Sequence, residues 1–227
     1  MFHIEKKGKK RKLMQDNYST YVNDHFSIYV LSDGVTGKLY TTTGITKIIE
    51  NLIYIFERSF IGDFSINSLR FEVSSVINET IHVLAKEKHC SKDEFACTLM
   101  FVLLPSALDY YFIVHIGDGM IGRTKENIIE ILSYPDTGVY INQTYTTSSP
   151  NIYNHIHVKK INKLLGQSNV LLMMTDGLFE LIYDRVNHRL LNEFETAICK
   201  KEWEEIKGII DSVDNDDDCS LCVFSCN

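Results

Sequence analysis

The chain has 227 residues, 44% of them hydrophobic and 23% charged, with a formal net charge of -7. That size and composition suit one globular domain with a real core, and the acidic balance argues against a nucleic acid partner. No run reaches the roughly 18 apolar residues of a membrane helix, and no apolar segment follows the first charges as in a signal peptide, so a cytoplasmic location is expected.

A basic run, Lys6-Lys7-Gly8-Lys9-Lys10-Arg11-Lys12, comes first. Segments rich in Val, Ile, Leu, Phe and Tyr then read as strands at 25–32, 95–104, 110–116, 128–132, 152–158, 170–175 and 219–225. Most are nearly continuous apolar runs, as expected of strands covered on both faces. Two helices separate the first two strands. Ile45, Ile48, Ile49, Leu52 and Phe56 share one face, and Leu69, Val73, Val76, Ile77 and Leu84 share another. A third helical stretch carries Phe194, Ala197, Ile198, Ile206, Ile209, Ile210 and Val213, and its periodicity slips at Lys201 and Glu202, where two pieces would join. Strands grouped around paired helices give an α+β class, with helices covering sheets whose inner faces pack on each other. There are three prolines, no low-complexity linker and no repeat, so residues 1–227 are expected to form a single domain.

The six cysteines form no regular framework and are expected to be reduced thiols. Cys219 and Cys222 have a C-x-x-C spacing, but on a strand they would face opposite sides and act as small buried hydrophobes.

The aspartates are more informative. Three apolar strands run into Asp-Gly, at Asp33-Gly34, Asp118-Gly119 and Asp176-Gly177. Asp214-Asn215-Asp216-Asp217-Asp218 stands before the last strand, and Asp16 precedes the first long one. Any one Asp-Gly reads as a tight turn, Gly117-Asp118-Gly119 above all. Several carboxylates gathered at one sheet edge would repel each other and hold their pKa values up, which a divalent cation relieves. Oxygen-only donors select hard ions such as Mg2+ or Mn2+. A glycine after the aspartate lets a backbone carbonyl approach the same ion.

Taken in order, these segments resemble the motifs of type 2C metal-dependent serine/threonine protein phosphatases. Arg11-Lys12-Leu13-Met14-Gln15-Asp16 is similar to the family's R-x-x-N-[EQ]-D element, and Asp33-Gly34-Val35-Thr36-Gly37 to D-G-x-x-G. Phe95-Ala96-Cys97-Thr98-Leu99 resembles G-[ST]-T-[AL], and Gly117-Asp118-Gly119 resembles G-D-S. Thr175-Asp176-Gly177-Leu178-Phe179-Glu180 is similar to S-D-G-[LIV]-[WFT]-[DE], and Asp217-Asp218-Cys219-Ser220 to D-[DN]-x-[ST]. The resemblance implies two packed antiparallel β-sheets, a β-sandwich, flanked by pairs of helices. It also implies hydrolysis of phosphoserine and phosphothreonine in proteins by a water that bound Mn2+ or Mg2+ activates, with no covalent enzyme intermediate. The substrate would be a phosphorylated protein, the target of a cognate Ser/Thr kinase.

By the same resemblance Asp33 would bridge two ions, Asp176 and Asp217 would complete one site, and the Gly34 carbonyl would touch the second ion. Asp16 would act through water, Asp118 with Asp176 would hold a third and weaker ion, and Glu180 matches an acidic ligand of some members. Asp216, Asp217 and Asp218 adjoin, so the register of the last ligand stays open among them. Arg11, five residues before Asp16, matches the arginine that binds phosphate, for which a guanidinium is suited. A charge run is usually a solvated tail, and only the spacing to Asp16 favours function for Arg11; its lysine neighbours could draw in a phosphorylated substrate or equally serve solubility.

Val35 stands where many eukaryotic members carry a histidine, and Gln15 where they carry glutamate; both departures resemble a divergent bacterial-type subgroup. Gly119 replaces the usual serine after Asp118. The segment between Arg123 and Gly166, with Ser133-Tyr134-Pro135-Asp136 and Asn142-Gln143-Thr144-Tyr145, matches no familiar pattern. His155 and His157 would share one strand face, and His115 would pack beside Asp118. Two other functions are weighed: a catalytically silent relative that binds a partner or phosphoprotein, and a phosphatase acting on small molecules or phosphohistidine. No G-x-G-x-x-G or G-x-x-x-x-G-K-[ST] supports a nucleotide enzyme.

Overall fold

A computed structural model describes residues 1–59, 61–136, 144–163 and 170–226. In chain order the strands are β1 (Phe2–Lys6), β2 (Asn17–Val22), β3 (Phe26–Ser32), β4 (Leu99–Pro105), β5 (Tyr110–Ile116), β6 (Met120–Lys125), β7 (Ile128–Ser133), β8 (His157–Asn162), β9 (Val170–Met174), β10 (Tyr183–Asp184), β11 (Arg189–Leu190) and β12 (Cys219–Ser225). The helices are α1 (Thr41–Arg58), α2 (Ile66–Glu87), α3 (Asp176–Ile182), α4 (Asn192–Lys200) and α5 (Trp203–Ser212), with short 3-10 turns at Ile61–Asp63, Lys92–Phe95 and Ile152–His155. Two five-stranded antiparallel sheets and their helices give the expected α+β class. None of the described helices is long and apolar enough to cross a membrane. The chain divides into two compact units, one of Met1–Asp16, Gly119–Pro135 and Leu164–Asn227, the other of Asn17–Asp118 and Asp136–Lys163.

The unit that begins at Asn17 carries the sheet β2-β3-β4-β5-β8. Leu99, Phe101 and Leu103 of β4 and Phe112, Val114 and Ile116 of β5 share a core with Ile45, Ile48 and Leu52 of α1 and Leu69, Val73 and Ile77 of α2. The alternate residues Met100, Val102, Tyr111 and Ile113 are buried as well. Burial on both faces is why β4 and β5 read as unbroken apolar runs. Each fully buried Leu, Ile or Phe contributes about 1.5–3 kcal/mol, so the helix stripes supply much of this unit's stability. Ser65 and Ser68 form a reciprocal cap at the start of α2, and Asn51 donates to Thr80 at 2.8 Å, fixing α1 against α2.

The other unit carries the sheet β1-β12-β9-β6-β7. Val170, Leu172 and Met174 of β9 and Cys219, Leu221 and Val223 of β12 pack with Leu178, Phe194, Ile198, Ile206 and Ile210 from α3, α4 and α5. The helical stretch does break where its periodicity slips: Lys201 ends α4 in the left-handed region, at φ 60°, and its N–H returns to Ala197 and Ile198. Phe2 stacks on Trp203 with ring centres 5.0 Å apart, tying β1 to α5. Lys6 Nζ caps the carbonyl end of α5 through Ile210 O (3.0 Å) and Asp211 O (2.9 Å), where a cation complements the helix dipole.

Several expectations need correction. β1, β2 and β6 went unseen because they are short, half polar and only partly buried. Residues 152–158 are not one strand: Ile152–His155 is a 3-10 turn entered through Asn151 at φ 54°, and the strand is His157–Asn162. That strand lies on a sheet edge, where exposed lysines replace the apolar run. His155 and His157 therefore do not share a strand face. The strand assigned from Phe95 begins at Leu99, and Val213 lies just beyond α5. Cys219 and Cys222 sit in β12, and the six cysteines are thiols.

Candidate metal centre

In the unit containing the N-terminus, the antiparallel registers Lys6↔Cys219 and Leu221↔Met174 bring three chain segments out at one end of the sheet. These are the segment after β1, the one before β12 and the one after β9. They carry Arg11 and Asp16, then Asp214–Asp218, then Asp176. The basic run is not a solvated tail. Lys9 N donates to Asn215 O at 3.1 Å and Lys10 N to Asp216 O at 3.4 Å, while Lys9 and Lys10 pair through their side chains with Asp214 and Asp216.

This structure separates the roles of the adjoining aspartates. Asp218 is 1% exposed, and its two oxygens accept from the backbone N–H groups of Gly8 (2.9 Å) and Gln15 (2.7 Å). It is a fastener for the N-terminal segment. Asp216 is exposed on Lys10. Asp217 is half-buried, and its Oδ1 accepts from Arg11 Nε at 2.7 Å and from Arg11 Nη2. Two glycines allow this packing. A Cβ on Gly8 would stand 2.4 Å from Asp216 O, and one on Gly177 would stand 2.1 Å from Asp218 O.

Asp16 is 6% exposed and accepts from Thr175 Oγ1 at 2.9 Å, and that same hydroxyl accepts from Ser220 N at 3.0 Å. Asp176 does not close a turn; it opens α3 and accepts from Gly177 N at 2.8 Å. Glu180 is exposed on α3 and meets Arg185 at 3.4 Å. Burial, with Asp16 as the next cause, pushes the Cys219 thiol up to about 12, so it stays protonated.

In the other unit, β3 and β5 flank β4 and both run opposite to it, so Asp33 and Asp118 leave the sheet at the same end. Asp33-Gly34 is not a tight turn. Asp33 N donates to Thr98 Oγ1 at 2.8 Å, Thr98 N donates to Asp33 O at 2.8 Å, and Gly34 bridges Cys97. Asp118 closes no hairpin either, since β5 belongs to one sheet and β6 to the other. It accepts from the Thr144 hydroxyl. Gly117, at φ +114°, could not carry a side chain: a Cβ would meet the Thr98 methyl carbon at 2.6 Å. Val35 is half-buried and its N–H donates to Ala96 O at 3.1 Å.

Of the unplaced segment, Asp136 pairs with His157 at 2.6 Å, and Tyr145 stacks on His155 at 3.6 Å; Asn142, Gln143 and Gly166 lie outside the described residues. His115 is fully buried, and burial, followed by the charges of His157 and Lys159, pulls its pKa down to about 3.

The candidate donors in each unit are carboxylates and carbonyls, and the thiols Cys97 in one unit and Cys219 in the other are held protonated by burial. This chemistry fits a hard divalent cation and not zinc. Among the described residues, no three His, Cys, Asp or Glu side chains converge on a single point. Sequence reasoning missed the supporting roles of Gly8, Thr98, Thr175, Gly177 and Asp218, the last of which it held open only as a ligand. Their signal was their place inside or beside the motifs, but their roles rest on hydrogen bonds between distant segments.

The fold has solved counterparts. The crystal structure of a bacterial serine phosphatase matches with a TM-score of 0.73 at 14% identity, over 100% of this chain and 97% of that one. The catalytic domain of the serine/threonine protein phosphatase PstP, solved with two manganese ions, matches with a TM-score of 0.67 at 16% identity, over 100% and 97%. PppA of Pseudomonas aeruginosa matches with a TM-score of 0.67 at 15% identity, over 99% and 96%. At these identities the likeness establishes the fold. A search of curated proteins finds no match. The profile of the protein phosphatase 2C family matches residues 6–206, running through both units, and the chain therefore belongs to that family.

Proposed function

We propose that this protein hydrolyses phosphoserine and phosphothreonine in phosphorylated proteins, acting as one phosphatase domain opposite a cytoplasmic Ser/Thr kinase. The observation that carries the reading is the family match over residues 6–206, together with aspartates held at strand ends by their own dedicated contacts. Bound Mn2+ or Mg2+ would supply an activated water for attack on phosphorus; the PstP neighbour holds two manganese ions.

Asp33, the Gly34 carbonyl, Asp176 and Asp217 would hold the two principal ions, and Asp16 would act through water. Asp118 with Asp176 would hold a third, and Glu180 is a lesser ligand. Arg11 would orient the phosphoryl group through its two-pronged guanidinium. The pairing Asp33–Thr98 fixes the backbone of the first of these ligands, and the Thr175–Asp16 bond fixes another. Val35 offers no proton, and water held by the bound ions would supply the one that the departing serine or threonine oxygen needs.

The test is release of phosphate from a phosphothreonine peptide by purified protein, with Mn2+ and then with excess chelator. Activity that needs Mn2+ and disappears in Asp33→Asn supports the reading. Folded protein inactive with every divalent ion would instead point to a silent module that binds a phosphoprotein.

A further inference from the structure

The proposed reaction asks Asp217 to hold a cation and Arg11 to hold a phosphate, yet in the structure each holds the other. Asp217 Oδ1 accepts from Arg11 Nε at 2.7 Å, from Arg11 Nη2, and from Asp218 N at 2.7 Å. The pair is the shielded member of its row: the side chains of Arg11 and Asp217 are 18% and 36% exposed, against 74% and 64% for Lys10 and Asp216. Its placement is built in. The backbone of Lys9 and Lys10 pairs with the carbonyls of Asn215 and Asp216, and Arg11 N donates to Gly8 O at 3.1 Å, which sets Arg11 opposite Asp217.

We propose that Arg11 competes with a divalent cation for the Asp217 carboxylate, so that this ion pair sets the metal affinity and frees the guanidinium for phosphate only when Asp217 is engaged elsewhere. The inference rests on Asp217 being a metal ligand, as read above. A guanidinium already shares the negative charge of that carboxylate, and a second cation there meets like-charge repulsion whichever oxygen it takes. Arg11 drawn onto a phosphate gives up Asp217 and raises cation affinity. By linkage, occupancy at Asp217 raises phosphate affinity by the same factor. Arg11 is thus withheld from substrate until the site is charged.

The experiment is calorimetric titration with Mn2+ alone of wild type, Arg11→Ala, Arg11→Gln and Lys10→Ala. Both Arg11 variants should bind Mn2+ about three- to tenfold more tightly, the size of a partly exposed ion pair, while losing turnover. Lys10→Ala, which removes the charge of the adjacent residue but not the pair, should leave the Mn2+ affinity unchanged. If Arg11→Ala does not fold, Arg11→Gln carries the same expectation. Unchanged or weaker binding in the Arg11 variants overturns the competition, and so does equal tightening in Lys10→Ala. Wild type that binds no Mn2+ overturns the metal assignment itself, a different failure.

Discussion

The two units position their aspartates by different physical means. In the unit that starts at Asn17, the backbone of Asp33 is held by neutral hydrogen bonds, as a continuation of β3: its carbonyl accepts from Thr98 N, its N–H donates to the Thr98 hydroxyl, and Gly34 bridges Cys97. In the unit containing the N-terminus, Asp16, Asp217 and Asp218 are held by side-chain contacts between segments far apart in the sequence. Hydrogen bonds between neutral groups respond little to salt, whereas a clasp of ion pairs and charge-assisted hydrogen bonds is adjusted by salt and by neighbouring charge. If the proposed ligand roles hold, the first device suits a ligand that stays fixed and the second one whose availability is regulated.

The largest expected effect comes from removing the proposed ligands. Asp33→Asn or Asp176→Asn should lower phosphopeptide turnover roughly 1,000-fold while circular dichroism stays that of wild type; wild-type rates would remove both from the site. Next is the fastener. Asp218→Ala strands two backbone N–H groups and should cost about 2–4 kcal/mol in urea denaturation. Gly177→Ala presses a methyl on the Asp218 carbonyl and should cost about 1–3 kcal/mol.

His115 sharpens the comparison from the other side, since it is buried within β5, the strand that runs into Asp118. Its folded pKa, about 3, lies below the unfolded value of about 6.5. The unfolded chain therefore binds more protons between those values, so the stability is complete above pH 6.5 and falls as pH drops toward 3. Its share of the slope is about 1.4 kcal/mol per pH unit. His115→Phe should flatten the loss measured between pH 6 and 4, and an unchanged slope would assign the acid sensitivity elsewhere. The smallest effect belongs to the exposed end of the clasp: Lys10→Ala should move the melting temperature by no more than about 2 °C.

The helices were readable because a 3.6-residue apolar stripe is a local property, and all of Ile45, Ile48, Leu52, Leu69, Val73 and Ile77 are buried as the stripe requires. The inner strands were readable because burial on two faces leaves an unbroken apolar run. β1, β2 and β8 were lost or misplaced because an edge strand is half solvated, and its residues resemble those of a loop. The aspartates were legible as a set, through order and spacing.

Their division of labour was not legible. Asp216, Asp217 and Asp218 are the same residue type in a row, and nothing local distinguishes them. Which one faces solvent, which meets Arg11 and which receives the amides of Gly8 and Gln15 depends on segments about two hundred residues away in sequence. By itself the sequence determined the class of fold, the family and the candidate ligands, because those follow from periodicity and ordered motifs. Only the tertiary structure decided that the basic run closes on the acidic loop, because charge attraction and backbone pairing act through space, between groups that chain order keeps apart.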